Sequence, residues 1–428
     1  MPPDSIYTEP LRRVSEEYVR SNPGSMEVAE RAAAVLPGGT TRTTTFFAPF
    51  PPVLVAGEGS EVVDVDGNRR VDYLNNYTSL ILGHAHPDVL AAAMSVAGRG
   101  TAFSSPTEQE VRLAEVLTGR VASVEQVRFT NSGTEATMAA LRLARAFTAR
   151  PRVARFEGSY HGTHDYTATP GAGIPDPVDD LVVTLPFNDI PGCEARLPHL
   201  ADSLAAVIIE PVLGAGGVIA ADREFLAYLR DVTRRYGVVL IFDEIISFRL
   251  HSGGAQAIFG VRPDLTTFGK IIGGGFPVGG FGGSRNIMEL LHPTTGTIGW
   301  GGTFNGNPVS ASAGIATLDA LTPAAIEELN ENGDHLAERL NKVFQATGLP
   351  ALATGVGSLF NIHATDEEIT DHHPVGRADP ELAELLHLGL MNRGYFLAPR
   401  GMGCLSTAMT PADLDGLVAA VEDLASTV

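Results

Sequence analysis

The segment Val238-Val-Leu-Ile-Phe242, followed at once by Asp243-Glu244, places the tightest limit on what this chain can fold into. Five consecutive apolar residues without alternation suit a strand buried on both faces, and such strands belong to parallel sheets covered by helices. From about residue 87 onward, strand-like and helix-like patterns alternate, which implies the same α/β architecture. Open α/β sheets bind ligands outside the carboxyl ends of their strands. The polar residue that follows each apolar run therefore carries more functional weight than a charge elsewhere, although an acid there can also be a helix cap.

Four further segments end in the same manner. Gln126–Thr130 reads as a strand and runs into Asn131-Ser132-Gly133-Thr134-Glu135, ahead of a helix predicted over 136–148. Hydroxyls and free N–H groups at a helix start make an anion cradle; an ordinary N-cap is the alternative. Arg152–Phe156 leads to Tyr160-His161-Gly162, and Ala205–Ile209 ends in Glu210-Pro211. Leu265–Gly269 delivers Lys270 into a glycine-rich turn. The chain has 30 basic residues but only two lysines, and Lys342 sits on an amphipathic helical pattern where its ammonium faces water. An amine kept among apolar residues and glycines suggests chemistry that a guanidinium cannot do, with a satisfied buried lysine or a phosphate contact as the alternatives. The run Gly273–Gly283 is expected to let backbone pass close to a bound planar group. A second glycine-rich polar loop, 301–308, precedes another helix.

Elsewhere the pattern is helical over 27–36, and a β-hairpin is predicted with its turn at Asp66-Gly67. Arg42 stands in a hydroxyl-rich loop before Phe46-Phe47, a setting suited to gripping a carboxylate as well as to a plain surface charge. The pairs His84/His86 and His161/His164 lack the helical i, i+4 spacing of a zinc site and read as loop histidines. A helix is predicted over 324–347, a strand over 358–363, a polar loop over 366–379 and a last helix over 411–426.

A formal net charge of −20 argues against a nucleic-acid surface. Cys193 and Cys404 are too few and too far apart for a disulfide framework or metal knuckle, which suits a reducing compartment. With no secretory pattern and no uninterrupted apolar run of spanning length, a cytoplasmic protein without a membrane segment is expected.

A phosphate cradle, an aromatic face, a carboxylate and a lysine, all at strand ends, are the parts that a pyridoxal 5'-phosphate site requires. The ordered motifs NSGTEA (131–136), YHG (160–162), EP (210–211), DE (243–244), DLTTFGKIIGGG (264–275) and GTFNGNP (302–308) resemble those of the class III aminotransferases. By local wording they are most similar to glutamate-1-semialdehyde aminomutases and β-amino-acid (β-phenylalanine-type) aminotransferases. The resemblance implies an α/β protein of the fold type I pyridoxal-phosphate transferases. Its large domain, 76–315, would hold a mostly parallel seven-stranded sheet, and both chain ends, 1–75 and 316–428, would build a smaller α+β domain.

Position by position, the resemblance implies that Lys270 carries the cofactor and Asp243 bonds its pyridine nitrogen. Ile245 and Tyr160 would lie on the two ring faces, Ser132, Gly133 and Thr134 would hold the phosphate, and Glu210 would support the site. Thr303 matches a threonine that reaches the phosphate of the neighbouring subunit, implying a homodimer. After Ala398-Pro399, aminomutases have a longer segment containing a glutamate; here Arg400–Ser406 is shorter and has no acid. Arg42 and Arg400 resemble the two arginines with which β-amino-acid aminotransferases grip carboxylates. The expected partners are a small amino donor and a 2-oxo acid acceptor, with aminomutase chemistry as the alternative.

Overall fold

A computed structural model of the chain describes residues 5–168 and 170–428. The chain divides into two compact units, one made of residues up to His86 with Leu329–Ile369 and His373–Val428, the other of Pro87–Glu328 with Thr370–His372. Among the described residues no single helix is long and apolar enough to cross a membrane.

In the first unit, β1 (Leu54–Glu58), β2 (Glu61–Asp64) and β3 (Arg69–Asp72) form an antiparallel meander. The expected turn at Asp66-Gly67 joins β2 to β3, and Gly67 takes the φ of +84° that such a turn demands. A buried ion pair, Arg70 Nη1 to Asp64 Oδ2 at 2.5 Å, crosses the hairpin.

The second unit holds β4 (Gln126–Thr130), β5 (Arg152–Phe156), β6 (Val182–Leu185), β7 (Leu204–Ile209), a two-stranded ribbon of β8 (Val212–Leu213) and β9 (Ile219–Ala220), then β10 (Val239–Asp243), β11 (Leu265–Gly269) and β12 (Gly279–Gly283). Seven of these make one sheet in the order β4-β12-β11-β10-β7-β5-β6. The pairings from β11 to β6 are parallel, and β12 is antiparallel to both of its neighbours. β7, β10 and β11 are buried along their whole length; in β7 and in β10 up to Asp243 the residues are continuously apolar, whereas β11 buries Thr266 and Thr267 within the sheet. The helix Gly133–Thr148 lies on the sheet through a face rich in alanine, where Ala140 and Ala144 meet a core of Ile208, Ile241, Leu265 and Phe281. Small side chains let the helix axis approach the strands closely.

The glycine run differs from its expected role. Its last part is β12, threaded between β4 and β11, instead of a loop for a planar ligand. A Cβ at Gly279 would collide with Ser132 O, and one at Gly282 would lie 2.6 Å from Gln126 O. These glycines are therefore set by the packing of backbone against backbone.

Returning to the first unit, β13 (Leu352–Val356), β14 (Leu359–His363) and β16 (Met402–Cys404) form a second sheet, and β15 (Tyr395–Phe396) joins β3 in parallel. The polar stretch 366–379 is not wholly irregular, for it contains a helical turn, His373–Gly376. Asp379 then caps the helix Pro380–Asn392 through the N–H groups of Glu381 and Leu382.

Candidate active site

In the second unit the polar residues at the strand ends are brought together. β4 ends at Thr130, and Ser132 is the N-cap of the helix Gly133–Thr148, its Oγ accepting from Glu135 N at 3.2 Å. The cap and the anion cradle are thus one structure, because the first-turn N–H groups of Gly133 and Thr134 have no acceptor within the helix. A Cβ at Gly133 would lie 2.6 Å from Ile245 Cδ1, so a side chain here would push the end of Ile245 aside. Gly162, at φ +95°, packs against Thr134, whose Oγ1 also accepts from Thr163 N at 3.3 Å. The Tyr160–Gly162 loop is fixed on the cradle by these contacts.

Asp243, the last residue of β10, is buried and bonded through both carboxylate oxygens. Its Oδ1 accepts from Thr267 Oγ1 at 2.9 Å and Ile245 N at 3.2 Å, and its Oδ2 lies 2.7 Å from His161 Nδ1. His161 is 1% exposed, and its Nε2 has no hydrogen-bond partner among the described residues. Read from the sequence as a loop histidine, it belongs to the site. The only sequence signal for it was its place directly after Tyr160.

Glu244, adjoining Asp243, plays a different part. It is wholly buried and accepts from Ala255 N, Gln256 N and Ser247 Oγ, pinning the start of the helix Ala255–Phe259. Burial pushes its carboxyl upward against those hydrogen bonds.

Glu210, just beyond β7, accepts from Tyr160 N at 2.8 Å and Gly214 N at 3.1 Å. Burial pushes its carboxyl up to about 7; Asp243 adds to the rise, while His161 and the two N–H donors oppose it. Tyr160 itself is 51% exposed. Lys270 follows β11 at φ +51°, a left-handed conformation unusual outside glycine and common at functional sites. Ile245 lies between Gly133 and Gly269, the residue before Lys270, and so ties the cradle to the lysine.

Thr303 is exposed in its loop. Two residues on, Asn305 Oδ1 accepts from Asn131 Nδ2 at 2.9 Å and holds that loop to the cradle.

The two arginines lie in the first unit and line separate cavities. Arg42 borders one of about 240 Å3 with Asp72, His84 and Phe396. Its Nη1 donates to Asn76 Oδ1 at 3.1 Å, and its guanidinium lies 5.7 Å from the Tyr77 ring centre. Asn75, Asn76, Tyr77 and Thr78 all have positive φ, a left-handed turn without a single glycine. At roughly 1–2 kcal/mol per residue such a turn needs support. Asp72 Oδ1 supplies it by accepting from Leu74 N and Asn75 N at 2.9 Å, and Asn75 Nδ2 donates to Cys404 O at 3.1 Å. Arg400 is exposed on the turn between β15 and β16 and borders a second cavity of about 180 Å3, with Pro399 common to both walls.

The family model for class III aminotransferases matches residues 48–395. The glutamate-1-semialdehyde 2,1-aminomutase of Methanothermobacter thermautotrophicus is 42% identical over 415 residues, covering 94% of this chain and 99% of that protein. Among solved structures, an omega-transaminase from Sphaerobacter thermophilus is 45% identical with a TM-score of 0.90, covering 95% of this chain and 99% of its own. A beta-phenylalanine aminotransferase from Variovorax paradoxus is 36% identical with a TM-score of 0.94, and 97% of each chain is covered. With its strand-end cradle, carboxylate and lysine on a sheet of this order, the chain belongs to the class III aminotransferases, pyridoxal-phosphate-dependent enzymes of fold type I.

Proposed function

We propose that this enzyme is a transaminase that takes the amino group from a β-amino acid or related amine and passes it to a 2-oxo acid such as 2-oxoglutarate or pyruvate. The observation that carries the reading is the turn at Ala398–Gly401, which presents an exposed Arg400 and is followed by no acid as far as Ser406. Arg42, oriented by Asn76 and Tyr77, offers a second carboxylate grip. A double-displacement enzyme must hold two different acids in turn at one site, and two carboxylate grips suit that task.

The residues of the second unit fit the cofactor. The cradle of Ser132, Gly133 and Thr134 receives a phosphate; Tyr160 and Ile245 take the ring faces; Glu210 supports the site by fixing the Tyr160 backbone. Asp243, held by Thr267 and His161, keeps the proton on the pyridine nitrogen. When bound, the cofactor supplies an electron sink at the substrate carbon. Lys270 would anchor it covalently, and its amine would carry the proton to and from that carbon.

We further read the enzyme as a homodimer in which Thr303 contacts the phosphate of the other subunit. Its exposure supports this, as do the exposed apolar side chains of Leu90, Met94, Phe103 and Phe304 in the same unit.

The alternative is an isomerase of the glutamate-1-semialdehyde aminomutase type, the activity named for the relative from Methanothermobacter thermautotrophicus. Single-turnover spectroscopy separates the two. With a β-amino acid alone, a transaminase releases one equivalent of keto product and stalls until a 2-oxo acid is added. Continued turnover of glutamate-1-semialdehyde without an acceptor would overturn the proposal.

A further inference from the structure

The Asp72–His84 pair beside Arg42 has no part in the transamination reading. Asp72 is almost wholly buried; its Oδ1 accepts from Leu74 N and Asn75 N at 2.9 Å, and its Oδ2 lies 2.7 Å from His84 Nε2. A carboxylate only accepts, so His84 Nε2 holds the proton of that bond. His84 is itself fixed, because its N–H donates to Gly59 O at 2.7 Å and its carbonyl accepts from Gly59 N at 3.0 Å. Arg42, Asp72 and His84 line one cavity of about 240 Å3. Read from the sequence as a loop histidine, His84 is the rigid end of a bonded chain.

That chain continues through the left-handed turn, whose four residues have φ between +47° and +73°. Asp72 holds the N–H groups at its start, and two of its members orient Arg42. Asn76 Oδ1 accepts from Arg42 Nη1 at 3.1 Å, and the Tyr77 ring centre lies 5.7 Å from the guanidinium while its hydroxyl donates to Thr44 O. Removing the His84 donor leaves Asp72 Oδ2 buried with no other donor among the described residues, which favours protonation or rotation of the carboxyl. Its hold on Leu74 N and Asn75 N then weakens. Asn75 Nδ2, donating to Cys404 O at 3.1 Å, still anchors the turn, so the turn loosens without unfolding.

We infer that His84 is a positioning residue for the substrate: through Asp72 and the turn at 75–78 it fixes the direction in which Arg42 presents its guanidinium to a carboxylate. The inference rests on the reading of Arg42 as a carboxylate grip. It gives His84 no contact with the substrate or cofactor and no proton transfer.

The test is a set of stopped-flow half-reactions of the holoenzyme. The donors are β-phenylalanine and 1-phenylethylamine, which lacks the carboxylate; the pyridoxamine form is then mixed with 2-oxoglutarate. Arg42→Ala identifies which of the two acids Arg42 holds. His84→Ala, which truncates the ring, and His84→Leu, which keeps bulk, should each raise the half-saturating concentration of that acid about tenfold, with its limiting rate changed less than about twofold. The response to 1-phenylethylamine should move far less. His84→Gln, whose amide can still donate to Asp72, should recover most of the loss. Asn76→Gly removes the last link at an exposed position where glycine accepts the same φ, and should show the same selective loss. In the double variant His84→Ala/Asn76→Gly the two losses should not add. No loss in the His84 variants, equal losses for the acid and for 1-phenylethylamine, or additive losses in the double variant would overturn the role of His84 and leave Arg42 as the grip. If Arg42→Ala weakens neither acid, the grip falls and this inference falls with it.

Discussion

His161 Nδ1 lies 2.7 Å from Asp243 Oδ2, with both side chains sealed from solvent. The imidazole, with Thr267 and the Ile245 N–H, therefore fixes the orientation of Asp243, the acid proposed above to bond the pyridine nitrogen. Hydrogen bonds to a charged group contribute about 1.5–3 kcal/mol. His161→Leu should weaken pyridoxal phosphate binding by roughly tenfold to a hundredfold, measured by fluorescence titration of the apoenzyme. Unchanged affinity would show that Thr267 and the Ile245 N–H suffice to hold Asp243.

Lys270→Ala should remove the visible absorbance band that borohydride reduction traps and should abolish transamination. Non-covalent cofactor should still enter, because the cradle and Asp243 are untouched. A trappable band in this variant would exclude Lys270 as the anchor.

Glu210 makes the protein sensitive to pH. Its folded pKa, raised to about 7 by burial, exceeds the ordinary value of 4.5. Between those values the folded state holds a proton that the unfolded chain has released, so stability falls as pH rises from about 4.5 to 7 and is constant above. The loss is on the order of 3 kcal/mol, at 1.36 kcal/mol for each pKa unit. Glu210→Gln removes the titration, so the melting temperature of the wild type minus that of the variant should decline between pH 5 and pH 8. A flat difference would place the Glu210 carboxyl back in the normal range.

Gly279→Ala tests the reassigned glycine run. The added methyl meets Ser132 O and Thr130 Oγ1, so β12 and the cradle must part. Overpacking of this kind costs about 1–3 kcal/mol. Lower thermal stability and weaker binding of inorganic phosphate to the apoenzyme are expected together. Loss of stability with phosphate affinity unchanged would mean that the strand, and not the cradle, absorbs the strain.

Sequence alone revealed those parts of the site that follow from strand periodicity. Continuous apolar runs locate strand ends, and the polar residues after them, Ser132, Glu210, Asp243 and Lys270, share one sheet edge because parallel strands all finish on the same side. His161 escaped because nothing in a His-Gly-Thr-His stretch says that its ring meets an acid 82 positions later. The role of Gly279–Gly283 was inverted for a related reason. Glycine signals close approach, but its partner, here the backbone of β4 and β11, is a tertiary fact. Arg42 and Arg400 each resemble a substrate clamp, yet local pattern carries no information about which cavity wall a side chain joins.

The left-handed turn at Asn75–Thr78 narrows the choices open to anyone redesigning the pocket of Arg42. Positions 75 and 76 hold asparagines, which with aspartate and glycine accept this handedness most readily. Thr78, the β-branched member at φ +73°, is retained beside an N–H bond to Leu74 O at 3.0 Å. A saturation library at 75–77 will therefore consist largely of variants destabilised by roughly 1–2 kcal/mol for each residue ill-suited to this handedness. A restricted alphabet of Asn, Asp, Gly and His at 75 and 76, with aromatic residues at 77, spends its diversity on binding instead.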